Sequence, residues 1–191
     1  MLLGGKKILV IGYDFCGRGI SQRLRALGAI TYVYDKDYVA MLKAKIEGYI
    51  VGKLNDLLKE TEVIITVTGR YDVLTYEHVQ YINDGCFIAN AGHYNMEINL
   101  KSFEENCDYV ESLKDDIKQY CFKDKKIKVI GNGNPINLTV GTGNPIEIME
   151  LGYALQLLSL EEIVHNNNLA KCIQDLPEDI NQKAAKLLLD L

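Results

Sequence analysis

No stretch of the 191-residue chain reaches the roughly 18 consecutive apolar residues that a membrane-spanning helix needs. Basic runs are absent too. Lys and Arg number 21 against 26 Asp and Glu, for a formal charge of −5, and the two signs are interspersed. That balance argues against a nucleic-acid-binding face and against a polybasic membrane anchor. Met1-Leu2-Leu3-Gly4-Gly5-Lys6 lacks the basic n-region and long apolar core of a secretory leader. Metal and disulfide signatures are also missing. The five cysteines, Cys16, Cys86, Cys107, Cys121 and Cys172, are odd in number and far apart, with no Cys-x-x-Cys and no His pair at helical spacing. This speaks against a disulfide framework or a structural zinc and predicts a cytoplasmic location. What remains, 48% hydrophobic and 25% charged residues, describes one ordinary globular domain or a close pair of them. A chain of this length buries enough surface to fold without staples.

Apolar runs recur with helical stretches between them. Lys7-Ile8-Leu9-Val10-Ile11 is a short apolar run that stops at Gly12, as a buried parallel strand would. From Gly17 to Leu27 the residues Ile20, Leu24 and Leu27 share one helical face, and Gly28 follows as a C-cap. Ile30 to Tyr34 reads as a second strand ending at Asp35, and a helix from about Asp37 to Glu47 closes on Gly48. Tyr49-Ile50-Val51, Val63 to Val67, Cys86 to Asn90 and Ile127 to Ile130 continue the strand series. Such alternation predicts a doubly wound, Rossmann-like α/β domain: a parallel sheet covered by helices on both faces. We place it at residues 1–144, followed by a helical extension over 145–191. Gly131-Asn132-Gly133-Asn134-Pro135-Ile136 is echoed by Gly141-Thr142-Gly143-Asn144-Pro145-Ile146, and turn chemistry explains both copies. The second is expected to open a helix with Asn144 as N-cap, Pro145 as its first residue and Glu147 as the reciprocal cap. A last helix is expected from Pro177 to Leu189.

The first turn carries the most chemistry. Gly12-Tyr13-Asp14-Phe15-Cys16-Gly17-Arg18-Gly19 follows a strand and opens a helix. A dinucleotide fingerprint there reads Gly-x-Gly-x-x-Gly: a tight turn, a close backbone approach to the pyrophosphate, and close helix–strand packing. Gly12 and Gly17 supply the first and third glycines, but the middle position is Asp14. Its Cβ obstructs the approach, and its carboxylate faces a doubly charged pyrophosphate at the helix N-terminus. Gly12, Asp14, Phe15, Cys16, Gly17 and Arg18 are the candidate pyrophosphate contacts. Asp35 fits the acid that binds an adenosine ribose, which favours NAD over NADP. These residues suit an NAD site weakened by Asp14 and, equally, a doubly wound domain that keeps its glycines for the turn alone.

Further motifs follow in order. Thr66-Val67-Thr68-Gly69, then Asn90-Ala91-Gly92-His93-Tyr94-Asn95-Met96-Glu97-Ile98, then Asn137-Leu138 with Gly141-Thr142-Gly143-Asn144-Pro145, complete a set of which the glycine turn is the first. With these the whole chain resembles the NAD-binding part of S-adenosylhomocysteine hydrolase. In that family NAD oxidises the 3′-hydroxyl of the substrate ribose, homocysteine is eliminated, water adds, and the ketone is reduced again. The resemblance implies a place in the methyl cycle of one-carbon metabolism. It also implies that Asp35 binds the adenosine ribose, that Thr68, Gly69, Ala91, Gly92, His93 and Asn137 surround the nicotinamide half, and that His93 is the catalytic candidate.

The departures are as informative. Asn144 stands where the family has a second active-site His, which leaves an amide in place of a titratable ring. Asn95 replaces an acid, and the family's substrate domain, with its lysine and carboxylates, has no counterpart here. Three readings follow: an NAD-binding module, natural or cut from a longer hydrolase, completed by a substrate domain on another chain and inactive alone, a non-enzymatic scaffold on a degenerate Rossmann fold, or a small NAD-dependent reductase, for which no complete acid–base set is present. Residues 145–191 bear on the choice. Around Leu151 to Leu158 the helix is apolar on nearly every side, interrupted only by Gly152 and Gln156, whereas a helix on one sheet face needs only a stripe. That predicts a homodimer or a tight complex with a substrate-domain protein, built on 145–191. The alternative is that the helix at 177–189 folds back to cover it.

Overall fold

The computed structural model describes residues 2–166 and 169–189. They form two compact units, Met1–Thr142 and Gly143–Leu191. The first unit is built on strands β1 (Lys7–Ile11), β2 (Ile30–Tyr34), β3 (Ile50–Val51), β4 (Val63–Thr66), β5 (Phe87–Asn90), β6 (Tyr109–Lys114), β7 (Ile117–Phe122) and β8 (Lys125–Ile130). They make one 8-stranded sheet in the order β3-β2-β1-β4-β5-β8-β7-β6. The strands from β3 through β8 in that order run parallel, so the doubly wound expectation holds.

The reason lies in the apolar runs. Ile8, Leu9 and Val10 of β1 are wholly buried because neighbours flank the strand on both sides and helices cover both faces. Its alternate side chains feed two cores. Leu9 and Ile11 join Ile64, Ile88 and Phe103 on one face, while Ile8 and Val10 meet Ile65 and Leu24 on the other. Leu24 belongs to α1 (Phe15–Ala26) and Phe103 to α5 (Leu100–Glu104). Strand exits from β1, β2, β4 and β5 therefore gather at one edge of the sheet, where a doubly wound fold puts its ligands.

The sheet is not parallel throughout. β6 and β7 form an antiparallel hairpin that pairs onto β8. Every residue of β6 is exposed, so that edge strand has no buried face to leave an apolar signature in the sequence. The second unit corrects another expectation. Helix α7 runs Ile146–His165 with Pro145 itself in the cap position (φ −56°, ψ 145°) and no side-chain cap hydrogen bond. Proline's fixed φ and extended ψ put the boundary one residue later than expected, which leaves Asn144 outside capping range. Its Nδ2 lies 3.9 Å from Met149 Sδ instead. Helix α8 (Glu178–Leu188) does fold back on α7: Ile180 and Ala184 are buried and Lys183 pairs with Glu161 at 3.3 Å. The cover is partial, since Leu157, Leu160, Ile163 and Val164 stay exposed. Among the described residues no helix is long and apolar enough to cross a membrane.

Candidate functional site

The turn after β1 needs glycine at both of its ends. A Cβ on Gly12, whose φ is +107°, would stand 2.6 Å from the Val67 carbonyl oxygen, and one on Gly17 would stand 1.9 Å from that of Gly12. The middle position behaves differently. Asp14 sits at φ −80°, ψ −163°, ordinary extended backbone that tolerates a Cβ, and it is the N-cap of α1. Its Oδ1 accepts hydrogen bonds from the Cys16 and Gly17 amides at 3.1 Å each. The carboxylate thus occupies the helix-terminal amides that an anion would otherwise take. Phe15 and Cys16 are exposed on the first turn of α1. Arg18 is directed elsewhere: it meets Glu47 at 2.9 Å. The same carboxylate accepts from the Tyr13 hydroxyl at 2.9 Å. Burial first, and then that bond, push the Tyr13 phenol well above its usual range, so it remains a donor.

Asp35, at the end of β2, is half-buried and faces the turn. Its Oδ2 accepts from the Tyr13 amide at 2.6 Å and its Oδ1 from the Asp37 amide at 2.8 Å. These bonds tie the exits of β1 and β2 together and present the acid to a cleft of about 850 Å³. Gly12, Asp14, Asp35 and Thr68 all line that cleft, beside Arg70 and Lys36. The volume is within the roughly 300–1,000 Å³ usual for ligand pockets.

At the exits of β4 and β5 the organising residue is one the sequence reading passed over. Glu97 is completely buried. Its carboxylate accepts from the Thr68 amide at 3.0 Å, the Gly69 amide at 2.7 Å and the Thr68 hydroxyl at 3.1 Å. Charge-assisted bonds from several donors make such burial tolerable without a cation. Gly92 is obligatory beside it, because a Cβ there would lie 1.7 Å from Glu97 Oε1. Asn90, also fully buried, receives the Gly92 amide at 2.7 Å and donates to the Tyr94 and Gly133 carbonyls at 2.6 and 2.9 Å. The only advance signal for both was their presence in the Asn90–Ile98 motif; the donors to Glu97 and one acceptor of Asn90, Gly133, lie far off in sequence.

Ala91 continues β5 and donates its amide to Thr66 at 2.7 Å. His93 is exposed, edge-on to the Tyr94 ring at 4.6 Å, and its imidazole has no hydrogen-bond partner among the described residues. Tyr94 in turn stacks on Tyr71 from the β4 exit. Asn137 is exposed on the short helix α6 (Ile136–Thr139), which the Asn90–Pro135 bridge ties to the end of β5. Asn144 belongs to the other unit. The expected residues of the first unit thus lie on neighbouring strand exits or just beyond them, and Gly12, Asp14, Asp35 and Thr68 share one cleft.

A doubly wound sheet with a glycine turn, an acid at the second strand's end and a cleft across its carboxyl edge defines a dinucleotide-binding domain. The comparisons narrow that class. The family model described as "S-adenosyl-L-homocysteine hydrolase, NAD binding domain" matches residues 1–143, and the chain belongs to that family, whose dinucleotide is NAD. It is 36% identical over 190 residues to an S-inosyl-L-homocysteine hydrolase of Methanosarcina acetivorans, covering 100% of this chain and 46% of that protein. It is 34% identical over 191 residues to an adenosylhomocysteinase of Aquifex aeolicus, covering 99% and 46% respectively. The chain therefore spans about half the length of the curated relatives it matches. Among solved structures, a dipicolinate synthase of Bacillus halodurans superposes with a TM-score of 0.50 at 16% identity, over 55% of this chain and 37% of that one, which speaks to fold alone. The glycine turn, the acid at Asp35 and the cleft between them suit a dinucleotide's ribose. They depart from the usual cradle in the middle, at Asp14.

Proposed function

We infer that these residues supply the redox half of an S-nucleosyl-L-homocysteine hydrolase, with the groups that hold the nucleoside contributed from outside them. The observation that carries this reading is the Glu97 clamp. It fixes Thr68 and Gly69 against Gly92, so that a rigid backbone edge lies between the acid at Asp35 and the unpartnered imidazole of His93. When bound, the nicotinamide supplies a hydride acceptor, and later a donor, for a ribose carbon of the substrate. In this reading Asp35, which lines the cleft, receives ribose hydroxyls of the cofactor, and His93 is the acid–base candidate. Relatives named for the inosyl and for the adenosyl substrate match this chain almost equally well. Choice of nucleobase therefore belongs to the groups outside these residues. Those groups, or a second copy of the chain, are proposed to cover the exposed apolar residues of α7, such as Leu157.

Two measurements test the reading. Purified chain analysed by native mass spectrometry and calorimetry is expected to bind NAD while showing no hydrolysis of S-adenosyl- or S-inosylhomocysteine. No NAD binding at millimolar cofactor would overturn the reading, and so would turnover by the 191 residues alone. For the interface, sedimentation is expected to show self-association, or capture of a substrate-domain chain, that Leu157→Lys abolishes. A micromolar monomer indifferent to that change and to any such chain would exclude it.

A further inference from the structure

We propose that Arg70 is the phosphate-binding residue of this cleft, replacing the helix-terminal amides that Asp14 has taken; the proposal rests on reading the cleft as an NAD site. Each acid that lines the cleft already has a donor. Asp14 accepts from the Cys16 and Gly17 amides, and Asp35 from those of Tyr13 and Asp37. Asp37 accepts from the Val39 amide as the cap of α2 (Tyr38–Ile46), and Asp72 from Asn99 Nδ2. The cations lining the same cleft, Lys36 and Arg70, have no side-chain partner among the described residues. Neutral N–H donors leave those carboxylates charged, so an anion entering the cleft depends on the cations, and neither of these has a partner to give up.

Position separates the two cations. Lys36 follows Asp35 and so stands at the ribose end. Arg70 leaves β4, the strand that abuts the glycine turn: a Cβ on Gly12 would lie 2.6 Å from Val67 O and 3.2 Å from Thr68 Cγ2. Beyond Thr68 the chain curls back, the Arg70 amide donating to Thr68 Oγ1 at 3.1 Å. Arg70 thus leaves from the wall of the cleft that Thr68 shares with the turn across which a pyrophosphate would lie. A guanidinium suits the task because its planar fork can donate two bonds to phosphate oxygens. Arg18, the cation nearest in sequence, is held by Glu47.

Calorimetric titrations with NAD, ADP-ribose and adenosine test this on the purified chain. Arg70→Gln is expected to weaken NAD and ADP-ribose at least about tenfold, the loss of one charge-assisted bond, and to leave adenosine unchanged. Arg70→Lys should recover part of the loss, and Lys36→Gln should matter less than Arg70→Gln. In an Asp14→Gly background, where the amides are free again, the same Arg70→Gln change is expected to cost threefold or less. Wild-type and Arg70→Gln proteins that bind NAD equally would overturn the proposal while leaving the NAD reading intact. An equal loss in both backgrounds would overturn the claim that Arg70 stands in for the amides. Wild-type protein that binds neither NAD nor ADP-ribose would bring down the NAD reading and this proposal together.

Discussion

Glu97→Ala is expected to destabilise the domain by about 2–4 kcal/mol, because it removes a buried carboxylate on which three part-buried donors end. The Thr68 amide, the Gly69 amide and the Thr68 hydroxyl all end on this one carboxylate, which is wholly removed from solvent. An unsatisfied buried donor costs about 1–3 kcal/mol, and the cavity left by the truncated side chain adds to it. Water entering that cavity offsets part of the sum, so the losses do not add in full. Glu97→Gln keeps the volume but turns one acceptor into a donor facing N–H groups, and about 1–3 kcal/mol is expected. Equilibrium urea unfolding measures both changes. The effect should reach the cleft, since the clamp positions the Thr68 side of it, and NAD binding should fall in the Ala variant even where the protein remains folded. An Ala variant within about 0.5 kcal/mol of wild type, the range of an ordinary surface change, would show that the clamp holds nothing up.

What the sequence made legible and what it concealed follow from how each feature is encoded. β1, β2 and β4 announced themselves because a strand buried on both faces must be apolar at nearly every position. The glycines at 12 and 17 were readable because a local backbone approach admits no side chain there. The hairpin of β6 and β7 was not readable: β6 is exposed throughout and takes its conformation from pairing with its neighbour. Glu97 was visible only as a member of the Asn90–Ile98 motif, with nothing to show its role. Its meaning depends on donors that reach it only through the adjacency of β4 and β5, and a lone Glu in a loop normally signals a solvated surface. For Asp14 the sequence showed the conflict with phosphate but not its form. The residue does not merely repel an anion from nearby; it serves as the cap of α1, so it competes for the very amides that the anion needs. The fold-back of α8 onto α7 shows the limit of periodicity arguments. An all-round apolar helix demands cover, and the pattern alone does not tell cover within the chain from cover by a partner.

The capping role of Asp14 sets the size of the second large effect. Asp14→Gly is expected to strengthen NAD binding by about ten- to a hundredfold, through two separable contributions. The first is charge. Two unit charges about 4 Å apart interact by about 4 kcal/mol at an effective dielectric of about 20, and the exposure of Asp14 screens a good part of that. The second is competition, because a phosphate must displace the carboxylate from the Cys16 and Gly17 amides before it can use them. Asp14→Asn divides the two, since it removes the charge and keeps a capping oxygen. NAD affinity should therefore rise in the order Asp, Asn, Gly. The Asp-to-Asn step should shrink as salt is raised, whereas the Asn-to-Gly step should not. Stability should barely follow, because glycine in place of a capping side chain costs only about a few tenths of a kcal/mol. Affinity and stability thus move independently, which distinguishes this outcome from a general tightening of the fold. Calorimetry with NAD at low and high salt reads the affinities, and urea unfolding reads the stability. A wild-type affinity equal to that of the Gly variant at low salt would mean that Asp14 leaves the amides at no cost, and the argument from the cap would then be wrong.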